Sequence, residues 1–271
     1  MTELQEKLLP ILEWFHEFCD ANGLRYYALG GTALGTVRHG GFIPWDDDID
    51  VGMPRPDYER FMQLTANKTF VDKYVCDFPI ATKNYYYAFA KIYDTTTTLV
   101  ENKRYKQKKG IYIDVFPLDG LGDSEEDALN NFKAIDSIFN RYNAKTCAIR
   151  KERALYKNLA IIAMRLVPEF ICGANKLMKK LEEKRTEIDY DNSVYVCNSV
   201  GAWHEKEIAE RSVFGNPKKM PFEGVFIYVP EDTHSYLSKM YGDYMTPPPV
   251  EKQKTHHDYL YLNLSKGYLE K

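Results

Sequence analysis

The sequence predicts an α/β fold of the α+β kind, a mixed β-sheet flanked by helices, with a mainly helical lobe appended. Three observations carry this expectation. Leu4, Leu8, Leu12, Phe15 and Cys19 recur at helical spacing, and Asn22-Gly23 supplies a stop. Short β-rich runs bounded by turn residues then alternate with helical stretches as far as Phe116. From Ser124 to about Tyr190 the pattern becomes helical throughout. The expected units are therefore a core at 1–122, a helical lobe at 123–192, and C-terminal strands and a helix at 193–271 that complete the site.

Taken in order, Leu24 to Leu29 reads as a buried strand leading into Gly30-Gly31, and Thr32 is a suitable cap for the short helix that follows. That helix should end before His39-Gly40-Gly41. Pro44 keeps the next strand from starting before about Trp45. Pro54 and Pro56 suit a helix start, with Tyr58, Phe61, Met62 and Leu64 as its apolar face. Tyr74 to Phe78, Tyr87 to Tyr93, Thr97 to Glu101 and Ile111 to Phe116 read as strands, with a turn at Pro117-Leu118-Asp119-Gly120. Asp123-Ser124 before Glu125, Glu126 and Asp127 is a helix start whose acids favour the dipole. Pro168 should separate two later helices. Strands return at Val194 to Ser199 and Gly224 to Val229, and a last helix begins after Pro230.

Composition narrows the function. With 271 residues, 44% hydrophobic and 28% charged, the chain can bury a sizeable core. Its net charge of −3 gives no general attraction to nucleic acid. The five cysteines form no C-x-x-C pair, so neither a disulfide framework nor a zinc site follows, and a reducing cytoplasm is expected. The N-terminus is acidic and polar, unlike a signal peptide, and no run of ~18 uncharged apolar residues predicts a membrane span.

The chemistry concentrates in Gly30-Gly31-Thr32, Arg38 and Trp45-Asp46-Asp47-Asp48-Ile49-Asp50-Val51. Residues two apart on a strand share a face, so Asp48 and Asp50 converge while Ile49 and Val51 turn into a core. An acidic run is usually a solvated loop, but these acids are embedded among Phe42, Ile43, Trp45, Ile49, Val51 and Met53. Burying charge there is costly without a compensating cation. Paired carboxylates suit Mg²⁺ or Mn²⁺, and the adjacent glycines let backbone amides approach a phosphate at a helix N-terminus. Asp46 is read as loop and Asp47 as pointing away. Asp114, flanked by Ile113 and Val115, is a third acid that needs a strong partner if buried. Arg38 and Lys91 are candidate phosphate contacts, or salt-bridge partners of one of the acids Asp46 to Asp50.

The stretch Tyr27 to Pro54, YALGGTALGTVRHGGFIPWDDDIDVGMP, resembles the LicD family of phosphotransferases, within the nucleotidyltransferase superfamily and similar to fukutin-type proteins. Ile113 to Asp119, Tyr241 to Tyr244 and Pro247 to His256 are similar to further blocks of that family. The resemblance implies a nucleotidyltransferase-like core in which Asp48, Asp50 and Asp114 bind two Mg²⁺ or Mn²⁺ ions, with Asp114 a ligand of the second ion or the acceptor of a hydroxyl proton. It assigns substrate contacts to Gly30, Gly31, Thr32, Arg38, Lys91 and His256. It further implies a CDP-linked donor (CDP-choline or CDP-ribitol), a glycan acceptor that can be lipid-linked, and release of CMP.

Three functions stay open from the sequence: phospho-alcohol transfer from a CDP-alcohol, nucleotidyl transfer from an NTP to a small acceptor, or an inactive binding homologue. The intact acids argue against the third, and the insert Arg38 to Trp45 favours the first. Tyrosines at 26–27 and 85–87, with Trp45, could form an aromatic cage for choline, although tyrosines in cores are ordinary. Leu155 to Met178, apolar but interrupted by Lys157, Arg165, Glu169 and Lys176, reads first as the packed lobe. Its alternative is a peripheral face on the inner side of the cell membrane. Lys103 to Lys109 reads as a solvated hairpin loop, or as a basic lure for a phosphate-rich acceptor.

Overall fold

Thr2 and Gln5 exchange the reciprocal bonds of a capping box and open α1 (Glu3–Asn22), which Gly23 closes in the left-handed conformation. The structure, a computed structural model, describes residues 1–151, 153–255 and 259–270. β1 (Tyr27–Ala28) leads into α2 (Gly30–His39), and β2 (Asp50–Pro54) into α3 (Arg55–Thr65). Next come β3 (Thr69–Phe70), β4 (Tyr74–Asp77), β5 (Ala90–Asp94), β6 (Thr98–Glu101), β7 (Lys108–Lys109) and the long β8 (Tyr112–Gly122).

The stretch expected as a helical lobe holds α4 (Glu125–Thr146), α5 (Leu155–Leu166), α6 (Glu169–Cys172) and α7 (Ala174–Arg185). As the sequence indicated, Ser124 caps α4 by accepting from the Asp127 amide, and Pro168 lies between α5 and α6. The chain closes with β9 (Tyr195–Cys197), a 3₁₀ turn (His204–Glu207), β10 (Ala209–Glu210), α8 (Arg211–Phe214), the hairpin β11 (Lys218–Phe222) and β12 (Val225–Val229), α9 (Thr233–Tyr241) and β13 (Tyr259–Asn263).

The mixed sheet runs β1-β2-β8-β5-β4-β3, with β9 on the far half of β8 and β10 beyond it. Within it β2 and β8 are parallel and the other pairs antiparallel. The expected turn at 117–120 is instead the middle of β8. Pro117 lacks an amide donor, but β2 on one side and β9 on the other carry the strand through to Gly122. Asp119, at its centre, is fully buried and paired to Arg55 and Arg185, which is a structural role. Nor is Thr32 the helix cap: α2 starts at Gly30 behind Leu29, and Thr32 lies inside the first turn.

Two of these pairings decide the site. β2 on β8 sets Asp50 beside Asp114, and β5 on β8 sets Lys91 beside the same Asp114. Cross-strand partners share a face, so three charges form a row across the centre of the sheet. Ile49, Val51, Ile113, Val115, Ala90 and Ile92, on either side of that row along the chain, are fully buried.

Candidate active site

The row opens onto a cavity of about 520 Å³. Asp48, Asp50, Lys91, Asp114, Gly30 and Gly31 all line it. Asp48 precedes the first residue of β2 yet reaches the same space as Asp50, so the expected convergence is present although only Asp50 is in the strand. Asp46 is in the loop, as expected. Its carboxylate lies against Gly31, where a Cβ would collide with it, and it adds to the charge felt by Asp50. Asp47 accepts a hydrogen bond from the Thr255 hydroxyl at 2.6 Å, which ties the C-terminal segment to the acidic loop.

Burial raises the Asp50 carboxyl well above its ordinary value, and Asp48, Asp114 and Asp46 push it the same way. Lys91 is the counterweight. It is 1% exposed, with Nζ 2.7 Å from Asp114 Oδ1 and 4.0 Å from Glu101 Oε2. The rings of Tyr112, Tyr87 and Phe89 surround the same ammonium, at 3.1, 4.4 and 5.4 Å to their centroids. These aromatics therefore cage the protein's own lysine. Tyr26 and Tyr27, the other half of the expected cage, are buried in the core away from the cavity, and Trp45 does not line it either. Tyr86, Phe116, Phe139, Tyr142 and Trp203 are the aromatic walls that remain. The Tyr142 hydroxyl is buried and has no hydrogen-bond partner among the described residues.

At the helix end of the cavity, Gly30 takes a positive φ of 49° and donates its amide to the Tyr236 hydroxyl at 3.0 Å. The Thr32 hydroxyl accepts from the Asp50 amide at 2.9 Å, so the helix start and the acidic strand are locked together. Tyr241 stands over the same glycine, with Trp203 edge-on against it at 5.0 Å. Arg38 is placed differently from Lys91. Its Nη1 donates to the Tyr244 carbonyl at 2.8 Å, and the side chain is not among those lining the cavity. His256 falls outside the described residues.

Several cavity residues carried no sequence signal that was read correctly. Lys103, read first as part of a solvated loop and alternatively as part of a basic lure for the acceptor, bridges its backbone to Cys147 and lines the cavity. Burial lowers its ammonium pKa, against the pull of Glu101. Glu101 is itself disfavoured by burial, but Lys91, the Tyr87 hydroxyl and Lys103 outweigh that and hold its carboxyl low. Lys109, in the same basic run, pairs with Asp77 at 2.7 Å. Arg150 and Glu207 complete the rim. Glu207 is 6% exposed, and burial pushes its carboxyl up to about 7 against the Trp203 amide that favours its charge.

The donor set of Asp48, Asp50 and Asp114 is of hard oxygens, and their mutual repulsion is what a divalent cation would relieve. Among the described residues no three His, Cys, Asp or Glu side chains already stand together as a closed metal-binding group. Here Lys91 neutralises Asp114.

The sequence that builds this site has known counterparts. Residues 23–146 match the family model described as LicD/FKTN/FKRP, nucleotidyltransferase domain, a span that holds Gly30, Asp48, Asp50, Lys91 and Asp114. The lipopolysaccharide cholinephosphotransferase LicD of Haemophilus influenzae is 30% identical over 260 residues, covering 95% of this chain and 96% of that protein. The chain belongs to the LicD family. As a member it is a transferase of phosphorus-containing groups. The human ribitol 5-phosphate transferase FKRP is 47% identical over 45 residues, which are 17% of this chain and 9% of that protein. An uncharacterised Rickettsia typhi protein is 40% identical over 57 residues, or 21% and 18% of the two chains. The short matches each cover 21% of the chain or less, whereas the Haemophilus match covers 95% of it.

Proposed function

We propose that this LicD-family enzyme transfers a phospho-alcohol group, phosphocholine before others, from a CDP-linked donor to a hydroxyl of a cell-surface glycan precursor. The observation that carries the reading is the row Asp50–Asp114–Lys91 facing the start of α2 across one cavity. The acceptor oxygen attacks the distal phosphorus of the donor, that O–P bond forms, and the P–O bond to CMP breaks. Asp114, held at one oxygen by Lys91, takes the hydroxyl proton. Gly30, Gly31 and Thr32 place the helix start against the diphosphate. In this reading Lys91, Arg38 and His256 are also assigned to substrate. Arg38 acts by holding the Tyr241–Tyr244 segment over that helix.

Mg²⁺ or Mn²⁺ held by Asp48, Asp50 and Asp114, as two ions, would neutralise phosphate charge as the leaving oxygen departs. The full-length match to a cholinephosphotransferase favours choline, and the shorter match to a ribitol 5-phosphate transferase keeps ribitol as the second head group. Thermal shift with CDP-choline, CDP-ribitol, CDP-glycerol and NTPs, each with and without Mg²⁺, tests the reading, because a bound ligand raises stability by RT ln(1 + [L]/Kd). Stabilisation by CDP-choline that requires Mg²⁺, followed by CMP release with a glycan acceptor, is the expected result. Stabilisation by NTPs alone would overturn it in favour of nucleotidyl transfer.

A further inference from the structure

The helical lobe carries a surface that the transfer reaction does not use. Ile161 is the buried side chain of α5, whereas Leu155, Leu159, Ile162 and Leu166 are 74, 55, 42 and 79% exposed. Their spacing of four, three and four residues puts them on one stripe of the helix. Phe170 and Ile171 of α6 continue the exposed apolar surface, and Tyr156 flanks it.

The stripe does not arise from a loosely attached helix. Lys145 of α4, fully buried, donates to the Val167 carbonyl at 2.7 Å and lies 3.6 Å from Glu169. Arg165 donates to the Cys147 carbonyl at 2.5 Å, and Asn158 to the Arg150 carbonyl at 2.8 Å. These bonds fix one side of α5 to the domain and leave the leucine side outward. Apolar surface held out in this way needs a partner.

Charge identifies the partner. Residues 150–180 hold eight Lys or Arg against two Glu, in a chain whose net charge is −3. Lys151, Lys157, Lys176, Lys179 and Lys180 are exposed. A second copy docking through the same face would bring these cations against their own equivalents. An aliphatic stripe with interfacial aromatics, on a segment this rich in exposed lysines, instead has the composition of a surface that lies in the headgroup layer of an anionic bilayer.

We propose that the outward face of α5 and α6 is a docking surface for an anionic lipid bilayer, set beside the mouth of the catalytic cavity. Arg150, which lines the cavity and is bonded to α5 through Asn158, makes the two features contiguous. Docking would present the cavity to acceptors anchored in that bilayer. This deepens the acceptor half of the function proposed above and rests on it for its catalytic benefit, whereas membrane binding itself needs neither donor nor acceptor.

The test is co-flotation of the full chain with vesicles of phosphatidylcholine alone or of phosphatidylcholine with phosphatidylglycerol. Wild type should float with the anionic vesicles and be released by high salt. Leu159→Ser with Ile162→Ser and Phe170→Ser should abolish flotation without moving the thermal transition. Lys151→Gln should lower it roughly five-fold, since a lysine near an anionic surface is worth about that much. No flotation of wild type, or equal flotation of all variants, overturns the proposal. So does an apolar-face variant that instead converts a sedimenting dimer to monomer, which would make the face a contact between copies. Flotation with no CMP release on any donor would leave the docking surface standing and remove the transfer reading.

Discussion

The central strand and the outer lobe place their apolar residues in opposite ways. Ten of the eleven residues of β8 are buried, among them two aspartates, while α5 turns four large aliphatics to the outside and buries one. The first arrangement forces charge into a low-dielectric interior, where position is rigid and every carboxylate needs an answer. The second leaves apolar surface in water and needs little from its neighbours to stay folded. Stability should therefore respond to single charges in the sheet and hardly at all to single leucines in the lobe, and activity should follow the same division.

The largest effect is expected at Asp50. Asp50→Asn keeps the shape and removes one of the mutually repelling carboxylates. Turnover should fall by more than about 10³-fold, as for loss of a preorganised charge at a phosphoryl centre. The stability effect has the opposite sign. Because the folded carboxyl is raised, wild type loses stability as pH climbs from the ordinary carboxylate range toward the folded value, and the variant does not. At neutral pH without metal the variant should melt higher than wild type. A variant with near-normal turnover, or a lower melting temperature, would break the claim that this strand accepts instability for chemistry.

Lys91 sharpens the comparison next. Lys91→Met strands Asp114 among acids in a site where the lysine is 1% exposed, and removing one partner of a buried pair costs about 3–5 kcal/mol. Lys91→Met with Asp114→Asn should recover most of that loss, and a double-mutant cycle measures the coupling. Additive losses would mean that the aromatic rings, rather than the carboxylate, hold the lysine.

How far the sequence shows this site depends on how local each signal is. Asp48 and Asp50 are legible because strand alternation and apolar neighbours are properties of a few consecutive residues. Asp114 is legible for the same reason. Lys91 is legible as a phosphate contact or a partner of the acidic run, but that its partner is Asp114 follows only from strand register. The burial of Lys103 is not legible, because a basic run reads first as solvated. Its burial follows from a backbone bridge to Cys147, more than forty residues away. Glu207 stands on a 3₁₀ turn, where neither periodicity applies. The strand through Pro117 was missed because local turn chemistry argued for a stop that pairing on both sides overrides.

Glu207 offers a smaller effect than Lys91 and a test of sign. Its carboxyl stands at about 7 when folded, against an ordinary 4.5, because burial disfavours the charge. The folded state holds the proton more tightly, so the associated stability is complete below about 4.5 and is lost as pH rises through about 7. Glu207→Gln should remove that part of the decline, worth up to about 3 kcal/mol at pH 8. Parallel melting curves for wild type and variant between pH 5 and 8 would show instead that the carboxylate finds a cation when it ionises.

The smallest effect is expected on the lobe, and its smallness is informative. Leu159→Ser with Ile162→Ser alters side chains that are 55 and 42% exposed, so little surface moves between water and protein on folding. Surface substitutions of this kind fall within about 0.5 kcal/mol. Ile161→Ala, one position away on the same helix, deletes the side chain that α5 does bury, at 8% exposure. It should cost about 2–3 kcal/mol, at the lower end of the range for a buried aliphatic because its neighbours can collapse toward solvent. The serine pair removes about twice the apolar volume and brings in poorer helix formers than the alanine, so a smaller loss in the pair would have to come from packing. Equal melting temperatures for the two would show that α5 has no inner face, and the contrast between sheet and lobe would then lose its second term.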